Sequence, residues 1–210
     1  MRSVAAIDEA RTGRDLQREE TRRRLRDAAL AIFRSDGFAN AKIDDIARKV
    51  GVSRGTFYFH FSTKEDVLLE LLREAEANVA RAVEALPPSA PVKKALEAMC
   101  IEFARQWERE RDLFPEVGSV ALRRAAATLR ADTVSPVHRA LAAALRSAID
   151  RRELTRHFAP DVLADMYLVN VFAATLAWCA RPAVTSSGPL VRALAAATEL
   201  FLEGARQRRR

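Results

Sequence analysis

Residues 54–67 read "RGTFYFHFSTKEDV", with four aromatic side chains and a histidine packed between Phe57 and Phe61. Phe57, Phe59 and Phe61 alternate, and a period of two suits a β-strand. Arg-Gly followed by aromatics is also the pattern of the sheet on which RNA-binding domains stack bases. The flanks favour a helix instead. Ser53 stands directly ahead and is a natural N-cap. On a helix starting there, Phe57 and Phe61 lie four apart and share the inward face. Arg54, Thr56, Tyr58 and His60 are then left toward the outer surface. A base-stacking sheet would also need three further strands, and the sequence contains no convincing one.

The surrounding sequence is punctuated in the same way. From Thr21, apolar residues fall at Leu25, Ala28, Ala29, Ile32 and Phe33, the stripe of an amphipathic helix. "SDGF" ends it: Gly37 suits the left-handed position after a helix, and Phe38 can fold back as the hydrophobic contact that follows. Ile43, Ile46, Ala47 and Val50 repeat the helical spacing, and Gly51 stops that segment. Beyond the aromatic stretch, Ser62 and Glu65 have the spacing of a capping box. The helix they open carries Val67, Leu68, Leu71, Leu72, Val79, Val83 and Leu86, and "LPPSAP" terminates it.

The chain has 210 residues, 49% hydrophobic and 30% charged, with 7 glycines and 8 prolines. So few turn residues argue against a sandwich or barrel, and the abundance of Ala, Leu, Arg and Glu favours helices. A net charge of +7 suggests a polyanionic partner. Cys100, Cys179, His60, His138 and His157 are scattered, so neither a metal centre nor a disulfide is expected. The amino terminus lacks a continuous apolar stretch of signal-peptide length. The most apolar run, Met166 to Ala180, is broken by Asn170 and is short for a membrane span. The expected setting is the cytoplasm, with no membrane partner and no cofactor.

Three short helices before a long one, with a single glycine-containing turn between the second and third, is the layout of a helix-turn-helix module. Ala47 lets two helices approach, Gly51 permits the turn, and Phe57 anchors the second helix. The segment "GFANAKIDDIARKVGVSRGTFYFHFSTKEDVLLELL" resembles the DNA-binding domain of the TetR family of bacterial transcription regulators. The likeness covers roughly residues 18–78, with the helix-turn-helix at about 42–61. It implies that Thr56 and Tyr58 contact DNA and that His60 and Lys64 touch the backbone beyond them. Arg54 occupies a variable, exposed position where an arginine can grip guanine O6 and N7 together, and Gly55 allows close approach to the duplex. Where the family often has Thr and Ser, this chain has Ala41 and Lys42. That change removes a hydroxyl cap, which Asn40 can replace, and puts an ionic phosphate contact at Lys42. Arg22 or Arg23 is a further phosphate candidate, and Arg11, Arg14 and Arg18 could reach a minor groove.

The expected architecture is all-α, with about nine helices. Residues 1–17 form a flexible arm and 18–78 the DNA-binding domain. Residues 79–205 form a helical domain that binds a ligand and dimerises, and 206–210 a basic tail. Helices are expected from Pro91 to Arg109, after Pro115 to about Arg130, from Ser135-Pro136 to about Arg152, from Pro160 to before Pro182, and from near Ser187. The fourth of these is apolar nearly all round and must be covered on every side. The resemblance implies a homodimer through the two carboxy-terminal helices, bound to a palindromic operator in double-stranded DNA and released by a small molecule. Phe103, Trp107, Phe114, Met166, Tyr167 and Asn170 combine apolar bulk with polar tips and are the candidate ligand residues. An architectural DNA-binding protein without an effector is the alternative. An enzyme is a weaker one, because no nucleophile sits beside a base and no phosphate-binding glycine loop appears.

Overall fold

The computed structural model describes residues 3–127, 134–181 and 189–206. Within them the chain forms helices α1 (Ser3–Asp36), α2 (Ile43–Val50), α3 (Arg54–His60), α4 (Lys64–Glu84), α5 (Val92–Arg109), α6 (Phe114–Ala127), α7 (Pro136–Asp150), α8 (Pro160–Cys179) and α9 (Leu190–Ala205). The described residues contain no strand, only an isolated antiparallel bridge between Leu154 and Arg206. The expected all-α class is the class observed. Two compact units divide after Glu70, and α4 contributes residues to both. Residues 128–133, 182–188 and 207–210, where parts of two expected helices and of the basic tail fall, lie outside the described residues.

In the first unit, α1 reaches back to Ser3, so the segment expected as a flexible arm is helical from residue 3. Apolar periodicity reports burial, and the sequence of this segment carries none. The Ala, Arg, Glu and Gln of this segment still favour helix by intrinsic propensity. The core gathers Leu25, Phe33, Ile46, Phe57, Phe61 and Leu68, each at most 2% exposed. Gly37 (φ +82°) ends α1, and the Phe38 ring returns edge-on to Phe33 at 5.0 Å. Gly51 (φ +77°) ends α2, its N–H shared between the carbonyls of Ala47 and Arg48. The Arg24 guanidinium donates to the Val50 carbonyl at 2.9 Å, covering the same helix end.

Two expected caps differ in detail. The reciprocal box at the start of α4 is formed by Thr63 and Asp66, not Ser62 and Glu65. The Thr63 N–H donates to Asp66 Oδ2 at 3.0 Å, and the Asp66 N–H to Thr63 Oγ1 at 3.3 Å. Asn40 does not cap α2, which starts at Lys42 without a side-chain cap. Its amide instead donates to the Asp36 carbonyl at the end of α1.

In the second unit, α8 packs on α7 and α9, and α9 on α5. Several helix ends are completed by distant side chains, which ties the loops to the core. Glu153 accepts from the Val92 N–H at the start of α5, and Glu108 from the Leu190 N–H at the start of α9. Arg111 donates to carbonyls at the end of α8, and its guanidinium lies 4.2 Å from the Trp178 ring centre. Inside, the Tyr167 hydroxyl meets Thr198 Oγ1 at 2.6 Å and Cys100 Sγ at 3.1 Å. This triad joins α5, α8 and α9, and burial pushes the Tyr167 hydroxyl well above the usual phenol range.

Helix α8 is 20 residues long and, among the described residues, the one helix apolar and long enough to cross a membrane. The run from Met166 to Ala180 makes up most of this helix, and a core helix of a soluble protein has the same length and composition. Leu163, Tyr167, Val171, Thr175 and Trp178 are buried in its own unit. Val162, Met166, Val169, Ala173 and Ala177 form an exposed stripe along the other side. On α9, Ala196, Leu200 and Gly204 make a second exposed stripe of small and apolar residues.

Candidate DNA-binding surface and ligand cavity

The Ser53 hydroxyl caps α3 by accepting from the Thr56 N–H at 3.1 Å and meets Thr56 Oγ1 at 2.9 Å. Phe57 is fully buried and Phe61 1% exposed, 5.7 Å apart between ring centres, whereas Phe59 is 66% exposed. Alternation along the stretch is therefore a coincidence of composition, and the helical pairing i, i+4 determines which rings turn inward. Seven residues are too few to hold a helix in water, so Phe57 and Phe61 anchor α3 from its inner face.

The outer face carries Arg54, Gly55 and Tyr58. The Arg54 guanidinium donates to the Tyr58 hydroxyl at 3.2 Å and lies 3.5 Å from Asp44 Oδ2 in the first turn of α2. It is folded over the tyrosine, 5.6 Å from the ring centre. Lys42, Asp44, Arg54, Tyr58 and Lys64 all border one shallow groove of about 410 Å³. Lys42 is exposed and makes no hydrogen bond or ion pair among the described residues. Gly55, Thr56 and His60 lie outside that groove, Gly55 exposed and the other two half-buried.

Lys64 is committed inside the unit. Its ammonium donates to the carbonyls of Phe38 (2.7 Å), Ala39 (3.1 Å) and Ala41 (3.4 Å) and stands 4.6 Å from the Phe38 ring centre. An ammonium has three donors, and all three go to the α1–α2 connection. Arg22 is committed too: it donates to the His60 carbonyl and to Glu70, 4.2 Å from the Phe61 ring centre. Arg23 pairs with Glu20 on the surface. Arg18 stacks 5.0 Å from the exposed Phe59 ring. Burial, then the nearby Arg22 and Arg18, hold the His60 imidazole below its ordinary pKa, so it is neutral at pH 7.

In the second unit, a cavity of about 320 Å³ lies between α4, α5, α6, α7 and α8. Four rings form one contiguous aromatic wall: Phe103, Trp107, Phe114 and Phe172, with successive centres 4.8–6.1 Å apart. Gly118 makes room for it. A Cβ at Gly118 would stand 2.7 Å from Cε2 and Cζ of Phe172. Leu72, Ala75, Glu76 and Val79 of α4 also line it, and among the described residues Glu76 is the one charged residue in the lining. The Trp107 indole N–H is buried without a hydrogen-bond partner among the described residues.

A model of bacterial regulatory proteins of the tetR family matches residues 25–71. Over these residues the chain carries a DNA-binding domain similar to that of the tetR family. The transcriptional regulator SrpR of Pseudomonas putida is 52% identical over 54 residues, which cover 26% of this chain and 25% of SrpR. AcrR of Shigella flexneri is 36% identical over 61 residues, 29% of this chain and 28% of AcrR. The chain thus matches only about a quarter of the length of these TetR-family relatives. Likeness to solved structures extends further. The TetR-family repressor FadR of Thermus thermophilus, solved with lauroyl-CoA, is 25% identical with a TM-score of 0.60, covering 90% of this chain and 97% of FadR.

Of the ligand residues expected from the sequence, Phe103, Trp107 and Phe114 line the cavity. Met166, Tyr167 and Asn170 do not. Met166 is 53% exposed, Tyr167 belongs to the buried triad, and the Asn170 amide bonds back to the Met166 carbonyl on the helix surface. Glu76, Phe172 and Gly118 were not expected. A trace of Glu76 is present in the sequence: Leu72, Ala75 and Val79 place position 76 on an apolar helix stripe, where a carboxylate is out of place.

Proposed function

We propose that this chain is a homodimeric transcriptional repressor that binds a palindromic operator and is released when a small molecule fills the cavity of its second unit. One observation carries the reading. With Phe57 and Phe61 buried, α3 turns Arg54 and Tyr58 outward, at a groove shared with Lys42. Arg54 is the base reader, and Lys42, Thr56 and Tyr58 hold phosphates while Gly55 lets the duplex come close. His60 adds a neutral hydrogen-bonding group at the end of α3. Lys64 serves by holding the α1–α2 connection rather than by touching DNA.

The second unit is the ligand-binding and dimerisation domain in this reading. The exposed stripes on α8 and α9 meet their counterparts in a second copy, giving a four-helix interface. That arrangement accounts for an apolar helix buried on only one side, and a regulator of this kind works in the cytoplasm. The relatives that share the domain are named as transcriptional regulators, which favours regulation over catalysis.

Selection of bound sequences from a random duplex pool by the full chain tests the reading. It should return an inverted repeat with half-sites about one helical turn apart, ~34–36 Å. Light scattering should give a mass near twice the 23.4 kDa chain. A monomer, or a pool with no preferred sequence, would refute the dimeric repressor.

A further inference from the structure

The cavity has chemistry that narrows its ligand. Its aromatic wall brings four rings together at mixed edge-on and tilted angles, and aromatic faces attract cations within about 6 Å. Glu76 borders the same cavity, within the α4 stripe formed by Leu72, Ala75 and Val79. Its carboxylate makes no hydrogen bond or ion pair among the described residues. Arg73, exposed and three residues earlier on the same helix, acts on it only through space. Burial raises the Glu76 pKa, which marks the ionised form as poorly solvated there. A carboxylate in that position is an unmet demand for positive charge.

The lining also excludes other ligand classes. Among the described residues no lysine or arginine borders the cavity, so an anionic head group would lie uncompensated beside Glu76. The volume of about 320 Å³ is at the small end of ligand sites, which span ~300–1,000 Å³. An acyl-CoA, with its several phosphates, finds neither the space nor the charge. A wholly apolar ligand would leave both Glu76 and the Trp107 N–H without partners.

We propose that the ligand of this cavity is a compact, flat aromatic monocation, packed against the Phe103–Trp107–Phe114–Phe172 wall with its positive charge on Glu76. A hydrogen-bond acceptor on such a molecule would also answer the Trp107 N–H. The inference rests on reading the second unit as the ligand-binding domain, and it names the class of molecule that the site takes.

Three compounds of one shape test it by calorimetry on the full-length protein: 1-methylquinolinium, 1-methylnaphthalene and 1-naphthoate. The cation should bind at least about 30-fold more tightly than the hydrocarbon, the ratio expected of a desolvated cation on aromatic faces. Glu76→Gln should weaken the cation at least about tenfold and leave the hydrocarbon within about threefold. Glu76→Gln keeps the shape of the site, and Phe172→Leu, which trims the wall, should weaken both compounds. Failure of the cation to bind, tighter binding of naphthoate or lauroyl-CoA, or a Glu76→Gln loss shared equally by cation and hydrocarbon would overturn the proposal. Operator release is measured separately. A Glu76-dependent cation that leaves the operator bound supports the ligand class and counts against the cavity as the switch. Release by an anion instead supports the switch and refutes the ligand class.

Discussion

Lys64→Met separates two roles that a lysine in this position can play. The substitution keeps most of the side chain's length and removes the charge and its three donors. In the native fold these donors reach the carbonyls of Phe38, Ala39 and Ala41 at 2.7, 3.1 and 3.4 Å. A hydrogen bond from a charged group contributes about 1.5–3 kcal/mol when well buried. Here the Ala39 carbonyl is exposed and the Ala41 bond is long, so water replaces much of what is lost. The two weaker bonds then add little, and the net cost is about 1–2 kcal/mol. For a chain of this size that lowers Tm by roughly 2–8 °C. Thermal melts followed by circular dichroism measure it directly. Binding to operator DNA across a salt series supplies the second readout. A lysine that neutralises one phosphate contributes about 0.9 to the slope of log K against log salt. Because the Lys64 ammonium has no donor to spare, the slope should be unchanged while affinity falls modestly on every duplex. A slope reduced by about one with Tm unaltered would refute this reasoning and make Lys64 a phosphate ligand.

Arg54→Ala should cost about 1–3 kcal/mol on the selected operator and little on random DNA. Asp44→Asn, by releasing the guanidinium and removing a negative charge from the groove, should strengthen binding to both; anisotropy titrations on the two duplexes check each variant. The folded-state pKa of His60 lies below its ordinary 6.5, so its contribution is present in full above that pH. It is lost as pH falls through the lowered folded value. Tm measured from pH 7.5 down to 5.5 should therefore drop less in His60→Gln than in the native chain. Glu76 has the opposite sign: burial raises its pKa above 4.5, so its ionised form is a cost above that range. Glu76→Gln should raise Tm at pH 7, by about 2–4 °C for each kcal/mol recovered, and leave it unchanged below pH 4.5. Gly118→Ala must displace the Phe172 ring, which its Cβ would approach to 2.7 Å. Ligand affinity measured by calorimetry should fall while operator affinity in the absence of ligand stays as it was.

Much of the fold was legible because the signals are local. Gly37 and Gly51 take the left-handed conformation that their places after helices implied. Ser53 and Ser135 cap α3 and α7 through their hydroxyls, as expected of a serine ahead of an apolar-periodic run. These features depend on the backbone within a few residues, so nothing distant has to be known. The same locality explains the near-miss at α4, where two overlapping pairs, Ser62–Glu65 and Thr63–Asp66, have the same spacing. Only the direction in which the chain enters the helix decided for the second.

What required the tertiary structure is everything set by residues far apart in the chain. Periodicity says which side of a helix is covered and is silent on what covers it. Phe103, Trp107, Phe114, Met166 and Tyr167 looked alike as apolar bulk, yet the first three border a cavity, Tyr167 closes a triad with Cys100 and Thr198, and Met166 faces outward. Lys64 and Lys42 are equally plausible phosphate ligands by sequence, and Lys64 is taken by carbonyls 23–26 residues away. Glu76 reads as one more charge on a long amphipathic helix until the packed unit sets it at a cavity lined by aromatic rings and, among the described residues, by no cation. Capping and turn energies act over a few residues, whereas desolvation depends on how the whole unit packs. The sequence by itself therefore determined the helices and the face that α3 presents, and only the packed structure decided the character of the cavity.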